Sequence, residues 1–257
     1  MIKRFVLGAA IAALLLETAQ AAPDYTFFAS PSGDSNGQCT QALPCSPQGA
    51  VEACLIGSAC TIVLQPGIYI DPAVNIYYHR TLYMTGDCGN PYAVVFRATR
   101  PNTPLVFVQD HATGRIGCLT MESTTTGTSG LFGRQHSIID YFGIVFGSMR
   151  NGRHVALNEF SIASCGETIW LIAGATVHAG VWNLSKLNLA CQINLTNPWI
   201  FEYFLVATDW SIVDAYDATF TGPGAGHSAG IRCFNYLAIV NRPLNGQSFP
   251  GNGADCQ

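Results

Sequence analysis

Charge is scarce in this chain: Asp, Glu, Lys and Arg together make up 11% of its 257 residues. Nucleic-acid binding draws much of its affinity from Lys and Arg at phosphates, and 12 basic residues scattered among 16 acidic ones argue against that class. No apolar run of membrane-spanning length recurs after the N-terminus. Cysteine pairs two to four residues apart, the usual framework of structural zinc, are missing, so no metal site is specified. A phosphate loop, a dinucleotide fingerprint, a hydrolase elbow and a heptad repeat are missing as well. Helical periodicity is nearly so.

What is present is apolar and punctuated: 49% hydrophobic residues, 26 Gly, 13 Pro and 10 Cys. That length supports one large domain or two small ones, since all-β folds often reach this size as a single unit, and it allows a sizeable core. An even cysteine count this high points to an oxidising compartment. Met1 to Ala22 reads as a secretory signal, with Lys3 and Arg4 as the basic region, Phe5 to Leu16 as the apolar stretch and Ala19-Gln20-Ala21 as the cleavage motif. Residues 1–21 are therefore expected to be removed, leaving a secreted or periplasmic protein with no membrane association. Losing Lys3, Arg4 and Glu17 takes the 12 basic and 16 acidic residues to 10 and 15, with Lys186 the only remaining lysine. A neutral polymer such as a glycan fits this inventory better than a strongly anionic partner, although nine arginines can still form a local patch.

One helix signal stands out. Ser46 is a capping residue, Pro47 suits the first helical position, and Ala50, Val51, Cys54 and Leu55 recur at helical spacing, with a stop near Gly57. After Cys60 the pattern becomes a series of short β-type segments. Among them are Thr61–Leu64, Thr81–Met84, Ile116–Met121, Ile138–Phe146, Leu187–Leu195 and Ile231–Val240, separated by Gly, Asn, Asp, Ser and Thr. A sandwich accommodates such strands, but the spacing favours stacking. Leu119, Ile144 and Ile169 lie 25 residues apart, as do Leu187, Ile212 and Leu237, about one coil of a solenoid. The domain plan is an extended segment and cap helix over 22–60, then a solenoid over 61–257 that ends in an irregular tail.

The segments "YTFFASPSG" (Tyr25–Gly33), "PCSPQGAVEAC" (Pro44–Cys54) and "TIVLQPGIYI" (Thr61–Ile70) resemble the opening of secreted right-handed parallel β-helix proteins of the pectin-lyase-like superfamily. Pro66-Gly67 and Tyr69 match the turn after the first strand of that opening. The later "SIIDYFGIVFG", "ATFTGPGAG" and "SFPGN" are similar to the C-terminal coils of bacterial secreted or phage-tail-like members. The resemblance implies a single-stranded right-handed parallel β-helix with the helix covering its N-terminal end. It also implies a disulfide set: Cys39 with Cys45, Cys54 with Cys60, Cys88 with Cys118 and Cys165 with Cys191 on adjacent rungs, and Cys233 with Cys256 holding the tail.

The superfamily contains polysaccharide lyases and hydrolases, which sets the search for chemistry. A lyase needs a base and often Ca²⁺ held by carboxylates; a hydrolase needs paired carboxylates. The chain carries no Asp-Asp and no Arg-Ile-Lys signature, and Gly226-His227-Ser228 only half matches Gly-His-Gly. Catalytic candidates are Asp209, Asp214 and Asp217, with Arg153 and His154; turns, where Asp satisfies the local backbone, are the favoured reading of Asp214 and Asp217. Ligand-binding candidates are Asp110, His111, Arg115, Arg150, Trp210 and Tyr216. Arg150, Arg153 and His154 suit a carboxylated sugar, and a solvated turn at Asn151-Gly152 explains them too. His136 and Asp140, four apart, are expected to face one side and pair. The functional expectation is a polysaccharide-interacting β-helix without strong catalysis and without a cofactor, Ca²⁺ entering only under a lyase reading. The alternatives are a lyase or glycoside hydrolase, and a structural surface or adhesion protein.

Overall fold

The computed structural model describes residues 25–172, 175–197, 200–225, 228–251 and 253. The chain winds as a parallel β-solenoid with three sheets. Sheet A has nine strands, from Tyr25–Asp34 to Ile239–Asn241; sheet B has seven, from Gly67–Ile70 to Thr219–Thr221; sheet C has seven, from Val74–Ile76 to Ala229–Tyr236. Each full coil contributes one strand to each sheet in the order A, B, C, and neighbouring coils pair in parallel. Coils are thus stacked at the spacing of hydrogen-bonded strands, about 4.8 Å.

The first 25-residue series is a true stack. Leu119, Ile144 and Ile169 fall in register on sheet B and are fully buried. The second series slips, because the later coils are longer: Leu187 lies on Val213, which lies beside Val240, while Ile212 and Leu237 are 37% and 50% exposed. Several apolar runs that read as single strands are two strands around a corner. Ile116–Met121 divides into Thr113–Gly117 and Thr120–Ser123, with Cys118 in the left-handed region at φ 59°. Ile138–Phe146 divides in the same way at Gly143. The apolar pattern runs through these corners because Leu119 and Ile144 point into the core there.

The corner between sheets C and A is the most regular feature. Two successive left-handed residues make it in coil after coil: Tyr78-His79, Asp110-His111, Gln135-His136, Glu159-Phe160, Asn183-Leu184 and Asp209-Trp210. That conformation costs an L-residue about 1–2 kcal/mol, and none of these residues is β-branched, the type it penalises most. Hydrogen bonds between coils offset the cost. His111, His136 and Phe160 each donate a backbone N–H to the carbonyl of the next coil's corner at 3.0 Å. Just inside the corner, Ser137, Ser161, Ser185 and Ser211 are fully buried, and Ser137 Oγ donates to Ser161 Oγ at 3.2 Å.

Both ends of the solenoid carry a glutamine that imitates a peptide group. The helix Pro47–Ala53 begins at Ser46, whose Oγ accepts from Gly49 N at 3.0 Å, and it sits beside the edge strand of sheet C. From it, Gln48 accepts from Asn75 N at 2.7 Å and donates to Asn75 O at 3.4 Å. At the other end Gln247 accepts from Phe220 N and donates to Phe220 O, both at 2.9 Å, closing the edge of sheet B. Phe249 plugs the core beneath it against Phe204 and Phe220. An open sheet edge invites pairing with other chains, and these side chains occupy part of it. The helix ends two residues before Leu55, which is 62% exposed, because the chain turns at Cys54 into its disulfide with Cys60.

Among the described residues four disulfides are formed: Cys39–Cys45, Cys54–Cys60, Cys88–Cys118 and Cys165–Cys191. The expected fifth falls on Cys256, which lies outside the described residues, as do the signal segment, Trp199 and His227.

Candidate functional site

The outer face of sheet C follows from strand alternation. Val106, Leu131, Val155 and Ala179 point inward and are fully buried, so Phe107, Phe132, Ala156, Gly180 and Val206 form one outward column. Phe107 and Phe132 stack with centroids 5.1 Å apart and planes 8° from parallel. Arg134 lies over Phe107 at 5.0 Å, and its Nε donates to Gln109 Oε1 at 3.1 Å.

Beyond Phe132 the column drops to Ala156 and then Gly180, and the depression is occupied by the indole of Trp182. The ring lies so close on Gly180 that a Cβ there has no room. The Arg153 guanidinium sits over this indole, 4.7 Å from its centroid, a cation–π contact. On the next column Asn183 Nδ2 donates to Asn158 Oδ1 at 2.6 Å. Together with Asp209 on the corner, and Asn102 and Gly127 on the loops opposite, these residues line an open groove of about 460 Å³. It crosses several coils.

Arg153 is the unusual group in it. Its side chain makes no hydrogen bond or ion pair among the described residues, whose three ion pairs are Arg80–Glu52, Arg97–Glu122 and Arg100–Asp71. Partial burial pulls its pKa below the usual arginine value. Arg153 is nonetheless exposed to the groove, where an anionic or strongly polar ligand group can pair with it.

The other sequence candidates are dispersed. Arg150 and Arg153 lie on one strand, Met149–Leu157, whose register shifts between Met149 and Arg153, with Asn151 left-handed at φ 48°. The turn signal at Asn151-Gly152 therefore marks a bulge within a strand. His154 faces inward and is fully buried, its Nδ1 3.0 Å from Nδ1 of His178. Asp209 precedes the strand Ile212–Asp214, Asp214 ends it and accepts from Tyr216 N at 3.3 Å, and Asp217 follows in the turn. No three His, Cys, Asp or Glu side chains converge to hold a metal ion among the described residues.

Asp110 and His111 occupy a corner, whereas Arg115 lies on the outer face of sheet A, over Phe142 at 5.1 Å and Tyr83 at 5.5 Å. Arg115 and Asp140 are in register there and line a smaller groove of about 270 Å³. His136 and Asp140 do not share a site: the His136 ring stacks between His111 and Phe160 at 5.0 Å on each side, because the left-handed pair turns the chain between it and the sheet. Trp210 and Tyr216 are exposed on separate turns. Of the catalytic and ligand-binding candidates, only Arg153 and Asp209 share the sheet C groove. Phe132, Asn158 and Asn183 join them without a prior signal; the trace available was the small pair Ala156 and Gly180, 24 residues apart, beside Trp182.

Comparison of the chain with protein-family models, curated proteins and solved structures returns no match.

Proposed function

We propose that this is an exported protein that binds an extended polysaccharide along the outer face of sheet C, without strong catalysis. The observation that carries the reading is the groove itself. The ring of Phe132 lies beside the indole of Trp182, the guanidinium of Arg153 that covers it without a carboxylate partner, and the amides of Asn158 and Asn183. Sugar rings offer apolar C–H faces to aromatic rings and hydroxyls to amides, and Arg153 suits an occasional carboxylate. The disulfides fit an oxidising compartment, and no described helix is long and apolar enough to cross a membrane.

The test is binding to an array of cell-wall and capsular polysaccharides. Wild type is expected to bind at least one, and Trp182→Ala to lose tenfold or more in affinity. No binding to any such polymer overturns the reading.

A lyase is the second reading, favoured by one observation: Arg153 has a lowered pKa and faces the same groove as Asp209. Abstraction by Arg153 of the proton beside a uronate carboxylate, with the neighbouring glycosidic C–O bond breaking and its oxygen leaving as a protonated hydroxyl, would generate a chain end with a new C=C bond, detected by its ultraviolet absorbance. Absorbance that appears with wild type and vanishes with Arg153→Gln selects this reading over simple binding.

A further inference from the structure

We propose that the chain pairs with a second copy of itself through an apolar strip at the corner between sheets C and A. Two adjoining columns build the strip. Phe160, Leu184, Trp210 and Leu237 occupy the second corner position in successive coils, linked by backbone hydrogen bonds from Phe160 to Asn183, Leu184 to Asp209 and Trp210 to Leu237. Two residues further along, Ile138, Ile162, Lys186, Ile212 and Ile239 form the adjacent outward column of sheet A, in continuous register.

The eight apolar members are between 37% and 68% exposed, Trp210 the most. Taking roughly 150–250 Å² for a large apolar side chain, they offer on the order of 700 Å². That exceeds the patch of about 300–600 Å² that a monomer ordinarily leaves open and approaches the roughly 800 Å² that each partner gives to a standard interface. The strip repeats with the coil in continuous register, so an identical strip can match it rung by rung.

The charges select the arrangement. Lys186 is the one charge within the strip, at its middle coil. Glu159 and Asp209 occupy the first corner position on the far side, one coil to either side of it. None of the three has an ion pair among the described residues. A two-fold perpendicular to the solenoid axis sets Lys186 against Lys186 and Glu159 against Asp209, which is repulsive. A two-fold along the axis lays the strips side by side in parallel, with each sheet A column on the other copy's corner. Each Lys186 then lies within one coil of two carboxylates.

Sedimentation equilibrium on the exported chain tests this. Wild type at micromolar concentration is expected to show the mass of two chains. Leu184→Asn with Trp210→Asn, replacements that a left-handed position tolerates, should give a monomer with unchanged circular dichroism and melting. Lys186→Glu should weaken the dimer at least tenfold, and adding Glu159→Lys should recover most of the loss, a rescue that loss of apolar area alone cannot mimic. A mass of one chain or of three, failure of the charge exchange to rescue, or a monomer that instead pellets with insoluble polysaccharide through Trp210, overturns the pairing.

Discussion

Lowering the pH from 7 to 5 should destabilise this protein through two buried histidines. His154 Nε2 lies 3.2 Å from the Gly147 carbonyl, which only accepts, so that nitrogen carries the proton in the neutral ring. His154 Nδ1 is then a lone pair, and the 3.0 Å contact to His178 Nδ1 is a hydrogen bond donated by His178. His178 Nε2 is left as a buried acceptor without a partner. Phe146 stacks on His154 at 4.8 Å and Phe204 on His178 at 4.8 Å, so apolar rings enclose the pair. A proton added to His154 opposes the Nδ1–H of its neighbour, and a proton added to His178 places an unpaired cation among phenyl rings.

Burial accordingly pushes the His154 pKa from 6.5 down to about 4, and burial followed by the charge of His154 lowers His178 as well. The unfolded chain takes up these protons as the pH falls through about 6.5, whereas in the folded chain His154 refuses its proton until near pH 4 and His178 is likewise held neutral below its ordinary range. Stability is therefore full above the unfolded value and is lost below it. His154 alone removes about 2 kcal/mol between pH 7 and pH 5, and His178 acts in the same direction. For a chain of this size that lowers the melting temperature by about 4–8 °C. Urea titrations at pH 7, 6 and 5, where most carboxylates stay ionised, measure it. The double variant His154→Leu/His178→Leu should flatten the slope. A wild-type stability that stays level over this range, or a slope that survives in the double variant, refutes the reasoning.

Gln48→Ala and Gln247→Ala should each cost about 1–3 kcal/mol by leaving a peptide group at a strand edge unpaired, measured by chemical denaturation. Gln247→Glu, which cannot donate to the Phe220 carbonyl when ionised, should cost at least as much at pH 7 and less near pH 4. Gly180→Ala should lift Trp182 off the sheet, seen as a change in tryptophan fluorescence, with loss of polysaccharide binding and a circular dichroism spectrum like wild type. Removing the Cys165–Cys191 bridge with paired serines should cost about 3 kcal/mol, since it closes a loop of 26 residues; an unchanged denaturation midpoint contradicts that.

Much of the architecture was readable from residues. Ser46, Pro47 and the apolar spacing placed the helix, since capping and periodicity are local. The stack of Leu119, Ile144 and Ile169 was readable where coils keep one length, and it failed at Ile212 and Leu237 where they lengthen. The candidate site was far less readable. His154 was grouped with Arg150 and Arg153 as a site for a carboxylated sugar, yet His154 and Arg153 point to opposite faces of one strand. His136 and Asp140 were paired by strand alternation, which a two-residue corner interrupts.

The sequence by itself determined an all-β chain of short strands with one N-terminal helix, because hydrophobic alternation, capping and glycine-rich turns are local; its spacing favoured stacked coils over a sandwich, and the parallel β-helix came from the resemblance of its opening segments. It also carried the pairing of Cys88 with Cys118 and of Cys165 with Cys191, once a coil of that length was supposed. Only the tertiary structure decided which side chains meet. Arg153, Asn158, Trp182 and Asp209 share a groove because coil registry and a bulge at Asn151 bring three coils' outward residues together, and each registry depends on loop lengths that no local signal sets. The same registry buried a histidine pair and left an apolar strip exposed.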